Sequence, residues 1–168
     1  MQDPLISILM GSDSDFSIMK EAGEVLASFG IPFEYVVTSA HRSPQRTADI
    51  AKAAEGRGVK IIIVGAGKAA HLAGCIAAWT NIPVLGVPID ASLGGIDALL
   101  STVQMPAGVP VGTLGIGKAG ARNAALLAIQ ILAISDIDLK AKLHQYKEKI
   151  AREVEEKDKR LKISGIQV

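Results

Sequence analysis

A histidine and an arginine stand side by side at His41 and Arg42, inside the run Ser39, Ala40, His41, Arg42, Ser43, Pro44. An imidazole is the side chain best suited to take up and release a proton near neutrality, and a guanidinium can grip a phosphate through two parallel hydrogen bonds. The pair therefore fits proton transfer on a phosphorylated substrate. The apolar run 33–37 before it reads as a buried strand, Ser43 as a helix N-cap and Pro44 as the first helical residue. His41 and Arg42 are thus expected in a loop at a strand's carboxyl end and beside a helix N-terminus, where open α/β sheets bind ligands.

Two further runs carry polar groups in the same kind of place. Gly11, Ser12, Asp13, Ser14 and Asp15 follow the apolar run 5–10, and they suit either of two roles. They can cap a helix, or Ser12 and Ser14 can donate to a phosphate or ribose oxygen while Asp15 accepts from ribose hydroxyls. Two carboxylates beside a phosphate repel it, so at least one must point elsewhere. Residues 65–71 form a Gly/Ala loop with Lys68 inside it and His71 at its end, where His71 either lines a pocket or caps the turn. Gly65, Gly67 and Ala70 match a dinucleotide fingerprint in its alanine-ending form, but the motif follows the third strand rather than the first, and Lys68 and His71 make it polar. Gly112, Gly117 and Lys118 have Walker-loop spacing, with Ala119 where magnesium needs a hydroxyl. No His, Asp and Glu cluster has zinc-ligand spacing, and His144 belongs to a charged terminal helix, so no metal is expected.

The hydropathy pattern supplies a frame for these loops. Strand 5–10 with helix 16–29, strand 33–37 with helix 44–57, strand 60–64 with helix 71–80, strand 83–87 with helix 96–104, and strand 110–116 with helix 121–134 make five successive units. In helix 16–29 the apolar positions Ile18, Ala22, Val25, Leu26 and Phe29 keep to one face, and Gly30 closes it. Five such units predict a three-layer, doubly wound α/β fold with a parallel sheet of flavodoxin-like order. The loops after the five strands, 117–120 included, would then gather at one edge of the sheet. Beyond Asp136 a charged helix of about 137–162 follows, with Leu139, Leu143, Tyr146, Ile150 and Val154 on one stripe. It reads as a C-terminal arm of a single domain spanning 1–168, and a stripe of that kind needs a surface, its own body or a neighbouring subunit.

Composition narrows the classes. With 168 residues, 49% hydrophobic, a net charge of +1 and 4% aromatic residues, the chain can bury a large core but offers no basic field or stacking platform for nucleic acid. The single cysteine, Cys75, excludes an internal disulfide and reads as a packed helix residue. No basic stretch followed by a long apolar one opens the chain, and the longest apolar run, 124–134, is too short to span a bilayer. The expectation is a soluble cytoplasmic protein that binds neither membrane nor nucleic acid.

Several of these runs, taken in order, closely resemble one family. Gly11, Ser12, Asp13, Ser14, Asp15; Ser39, Ala40, His41, Arg42; Gly65, Ala66, Gly67; Ala69, Ala70, His71, Leu72; Val103, Gln104, Met105, Pro106; and Asn123, Ala124, Ala125, Leu126, Leu127 are similar to class I PurE, the 5-(carboxyamino)imidazole ribonucleotide mutases of purine biosynthesis. The resemblance runs over about residues 5–132. It implies a flavodoxin-like domain, a homo-octamer with active sites shared between subunits, no cofactor, and a small ribonucleotide substrate that releases and recaptures carbon dioxide. It also implies that Ser12, Asp15 and Arg42 bind the ribonucleotide, that His41 is the acid and base, and that His71 with the 65–67 loop lines the reacting end. Taken with that resemblance, the expected catalytic pair is His41 and His71. The expected substrate-binding set is Ser12, Ser14, Asp15, Ser39, Ala40, Arg42, Gly65, Ala66, Gly67, Lys68 and Leu72. Two positions depart from the family's usual Gly-Gly-Ala-Ala-His-Leu-Pro: Lys68 stands at the second glycine and Ala73 at the proline. Because class II, the aminoimidazole ribonucleotide carboxylases, tends to have a basic residue at the Lys68 position, a carboxylase using free carbon dioxide is the alternative. A non-catalytic ribonucleotide-binding paralogue is the alternative from another class.

Overall fold

The near-continuous apolar runs of the first and third strands dictate where they sit, because a strand buried on both faces belongs in the middle of a sheet. The computed structural model describes residues 3–163 and places them there. β1 (Ile6–Met10) and β3 (Ile61–Gly67) are central, flanked by β2 (Phe33–Val37), β4 (Val84–Ile89) and β5 (Gly112–Thr113) in the order β2-β1-β3-β4-β5. Every pairing is parallel. This is the flavodoxin-like order expected of the sequence, with its switch point beside β1. Ile6, Ile8, Ile61, Ile62 and Ile63 are fully buried.

The helices are α1 (Phe16–Phe29), α2 (Pro44–Ala54), α3 (Leu72–Ala77), α4 (Ile96–Val103), α5 (Gly117–Leu132) and α6 (Ile137–Ile163). α1 has the predicted bounds and buries Ala22, Val25, Leu26 and Phe29; Met19 takes the fully buried place, while Ile18 is half-buried. Gly30 ends it at φ 76, a left-handed conformation that glycine adopts without steric cost.

Several expectations are corrected. β2 is not a buried strand: it is an edge, with Tyr35 and Val37 exposed. Its Glu34 instead ties the edge inward, accepting from the buried Ser7 hydroxyl at 2.6 Å and from Arg57 at 2.6 Å. β3 runs to Gly67 rather than stopping at Val64, because Gly65, Ala66 and Gly67 continue the ladder opposite Val87, Pro88 and Ile89 of β4. The glycine motif there is consequently strand, which removes the dinucleotide reading. β5 is reduced to two residues, Gly112 and Thr113, paired with Leu85 and Gly86 of β4. α5 begins at Gly117, so residues 117–120 are a helical turn and not a loop. Cys75 lies exposed on α3, on the side turned away from the buried Leu72, Ala73 and Ile76.

The chain divides into two compact units, Met1–Ile129 and Gln130–Val168. In the second, Asp136 accepts from the Leu139 amide at 2.9 Å to start α6. The predicted stripe is buried at Leu139, half-buried at Leu143 and Tyr146, and exposed at Ile150 and Val154. Among the described residues no helix is long and apolar enough to cross a membrane.

Candidate functional site

At the carboxyl ends of β1, β2 and β3 three connections converge on a cavity of about 550 Å³, within the range of small-molecule sites. After β1, the Gly11 amide donates to the Gly65 carbonyl at 3.3 Å, anchoring the first loop to β3. Residues 13–15 form a 3-10 turn with a capping box, in which Ser14 N–H donates to Ser12 Oγ at 3.4 Å and Ser12 N–H donates to Asp15 Oδ2 at 3.1 Å. The two acidic groups separate as electrostatics requires. Asp13 turns back onto Ser12 and Ser14, both at 3.0 Å, and does not line the cavity, whereas Asp15 does. Burial pushes the Asp15 carboxyl above its ordinary value, against the opposing pull of the Ser12 and Gly11 amides.

The His41–Arg42 turn is braced from beneath. Ser43 occupies the position before α2, but its side chain does not cap the helix. Ser43 Oγ instead accepts from the Ser39 amide at 3.1 Å and donates to the Ser39 carbonyl at 3.1 Å, closing the turn on itself. Thr47 bonds the Ser43 carbonyl and meets Thr38, buried, at 2.8 Å. Pro44 is the first helical residue, as its fixed φ favours. Arg42 leans across to the first loop and donates to the Gly11 carbonyl at 3.2 Å. That leaves further guanidinium N–H groups for an anion.

His71 is the residue before α3, and its side chain makes no capping bond. Of its two possible roles it takes the pocket, lining the cavity with Nδ1 2.9 Å from His41 Nε2. The rings lie edge to face, 5.0 Å apart at 81°. Which ring donates depends on the tautomer.

All the residues expected at the site line this cavity except Gly65. A Cβ on Gly65 would lie 2.3 Å from Met19 Sδ, so its lack of a side chain admits the core of α1 rather than a ligand. Three lining residues lie outside the expected set: Gly11, Ala69 and Ala91. Ala91 comes from the loop after β4, and only the β3–β4 pairing of Gly67 with Ile89 brings it close. A Cβ on Gly67 would meet the Ala91 Cβ at 3.0 Å. The 117–120 segment contributes nothing to the lining, which also disposes of the Walker-like spacing.

The resulting site sets basic groups, Arg42 and Lys68, and two histidines against one half-buried carboxylate. Such a cavity can hold a small anionic molecule and move a proton on it.

Sequence comparison is consistent with that chemistry. A profile of the family described as AIR carboxylase matches residues 5–153. The N5-carboxyaminoimidazole ribonucleotide mutase of Pyrococcus horikoshii is 53% identical over 165 residues, covering 98% of this chain and 92% of that protein. The mutase of the same description from Thermotoga maritima is 50% identical, covering 96% and 94%. The crystal structure of Treponema denticola PurE superposes with a TM-score of 0.85 at 29% identity, over 95% of this chain and 99% of that one.

Proposed function

From the chain's membership of the AIR carboxylase family, and its match to mutases along nearly its full length, we infer that it is an N5-carboxyaminoimidazole ribonucleotide mutase, an isomerase of purine biosynthesis. The observation that carries the mechanism is the 2.9 Å contact of His41 with His71 in the cavity that Ser12, Asp15 and Arg42 also line.

The reaction moves a carboxylate from the exocyclic nitrogen of an aminoimidazole to the adjacent ring carbon. Atoms balance without an oxidant or ATP. Protonation of the carbamate nitrogen breaks the N–C bond and releases carbon dioxide. The electron-rich ring carbon then attacks that carbon dioxide, and loss of the ring proton restores aromaticity. One proton enters and one leaves, so a single imidazole can serve both steps. His41 is that imidazole in our reading, and His71 holds it. Arg42 grips the phosphate, with Ser12 and Ser14 on phosphate or ribose oxygens and Asp15 on the ribose hydroxyls. Ser39 and Ala40 shape the turn, while Ala66, Gly67 and Leu72 enclose the reacting end and keep carbon dioxide near its acceptor. Gly65 leaves the binding set as a packing residue.

The enzyme works, in this reading, as a cytoplasmic homo-octamer of single-domain chains, each with a helical arm. Exposed apolar side chains at Leu93, Ile96, Leu100 and Val103 support an assembled state. Sedimentation of the purified protein reads this directly, and a monomer would overturn it.

Purified protein should interconvert the two carboxylated ribonucleotides, and absence of interconversion would overturn the mutase reading. Incorporation of labelled dissolved carbonate during turnover of the carbamate would move the reading to a carboxylase. Tight binding without turnover would make the protein a ribonucleotide-binding paralogue.

A further inference from the structure

Lys68 and Leu93 are the non-glycine residues with left-handed backbone among those described, at φ 55 and φ 48. That region crowds the Cβ of an L residue against its own backbone, and such conformations persist where the surroundings impose them, often at functional sites. At Lys68 the surroundings are explicit. Gly67 before it is wedged against the exit of β4, with Ile89 O 3.1 Å from where a Cβ would be. After it, two tight backbone bonds, Ala70 N–H to Lys68 O and His71 N–H to Ala69 O, both 2.8 Å, fold the chain back toward α3. This reversal delivers His71 to His41 and leaves Lys68 among the residues that line the same cavity. Glycine would make the turn without steric cost, so the lysine sets a basic residue at the cavity wall at the expense of backbone ease.

The charge count gives the Lys68 ammonium an occupation. The substrate of the mutase reading, on which this inference rests, has two anionic ends, a phosphate and a carboxylate. The cavity has two long basic side chains, Arg42 and Lys68. Arg42 is tethered to the first loop through Gly11 O at 3.2 Å, beside Ser12 and Ser14. Lys68 projects from the loop that carries His71, so it lies with the groups assigned to the reacting end. Among the described residues no carboxylate is within ion-pair distance of it. Its field is felt at Asp97, whose carboxyl is held below its ordinary value chiefly by the Ser92 hydroxyl, with smaller contributions that include Lys68.

We propose that Lys68 is a specificity-determining residue whose ammonium holds the carboxylate of the ribonucleotide, so that the site discriminates carboxylated from decarboxylated ribonucleotide. The carboxylate is present in substrate and product and absent while carbon dioxide is free. Lys68 therefore strengthens capture of either carboxylated form and has no charged partner on the decarboxylated amine.

Strain and charge can be separated at this one position. Lys68→Gly relieves the backbone and removes the charge, Lys68→Gln keeps the strained turn and removes the charge, and Lys68→Arg keeps both. In the full-length enzyme, the KM for the carbamate substrate is compared with the inhibition constant of decarboxylated aminoimidazole ribonucleotide. The Gly and Gln variants should raise KM by about tenfold or more, as loss of a charge-assisted bond implies, with the inhibition constant changed less than about twofold and Arg restoring KM. Equal shifts in both constants would overturn the proposal by placing Lys68 on a part common to both ligands, and unchanged constants would reduce it to a partner of Asp97. If wild-type protein turned nothing over, the mutase reading would fail. Calorimetric affinities of the two ribonucleotides for wild type and Lys68→Gln would still decide the role of Lys68.

Discussion

Replacing His41 and His71 separately and together tests the central contact with numbers that the geometry sets in advance. His41 Nε2 and His71 Nδ1 lie 2.9 Å apart, so each ring commits one nitrogen to the other and His41 retains Nδ1 for the substrate. Both side chains are exposed, so water can replace whichever ring is deleted and no buried group is left unpaired. The net value of the contact is then that of an ordinary hydrogen bond, about 0.5–1.5 kcal/mol, and His71→Ala should lower kcat about 2- to 13-fold by loosening His41. His41→Asn removes the proposed proton carrier and should lower kcat about 10²- to 10⁴-fold, or about 2.7–5.4 kcal/mol, with KM largely unchanged. In the double variant the His71 change should add almost nothing, because its partner is gone. The assay is interconversion of the two carboxylated ribonucleotides at saturating substrate, with thermal melts to show that each variant is folded. A His71→Ala loss as deep as that of His41→Asn would refute the argument, since His71 would then carry the proton itself. Multiplicative losses in the double variant would refute it differently, by showing that the two rings act independently.

Arg42→Ala should raise KM about 10- to 150-fold, the worth of a charge-assisted anion contact, while leaving a substrate analogue without phosphate unaffected; an equal effect on that analogue would remove Arg42 from the phosphate. Gly65→Ala drives a methyl to within 2.3 Å of Met19 Sδ on a fully buried side chain. The overpacking should cost about 1–3 kcal/mol and lower Tm by about 2–12 °C with kcat/KM preserved, whereas lost affinity at unchanged Tm would return Gly65 to the ligand. At Glu34 burial pushes the carboxyl up, but hydrogen bonds from Arg57 and Ser7 and the charge of Arg57 outweigh it, and the net direction is down from 4.5. A depressed carboxyl contributes stability that is present above its unfolded value and lost as pH falls through its folded value. Denaturant melts should therefore show wild type losing stability below about pH 4.5 more steeply than Glu34→Gln, which starts weaker at pH 7; parallel profiles would refute the linkage.

Much of the fold was legible because its signals are local and repetitive. Strand–loop–helix units recur five times, apolar runs without alternation mark strands buried on both faces, and parallel order then sends every loop after a strand to one edge. That topology alone gathered Ser12, Asp15, His41, Arg42 and His71 before any contact was known, and helix 16–29 and strand 33–37 came out with their observed bounds. Where expectation failed, the deciding partner was distant in the chain. Position in the sheet made β2 an edge, and the β4 ladder carried β3 through Gly67, turning the first part of the expected Gly/Ala loop into strand. Ser43 reads as a cap by type, yet Ser39 competes for its hydroxyl and wins. Cys75 sits in an apolar run, but the helix turns it outward.

The chemistry divides in the same way. Residue types and their order along the chain determined that an imidazole, a guanidinium and a set of hydroxyls would meet at one end of a parallel sheet, since side-chain chemistry and strand polarity are both written locally. Only the tertiary structure decided that the two histidines touch, that Gly65 accommodates Met19, that Ala91 lines the cavity, and that Lys68 joins that lining from a left-handed turn. Each of those depends on how closely separate backbones approach, and that distance is a property of the packed sheet, which no run of residues contains.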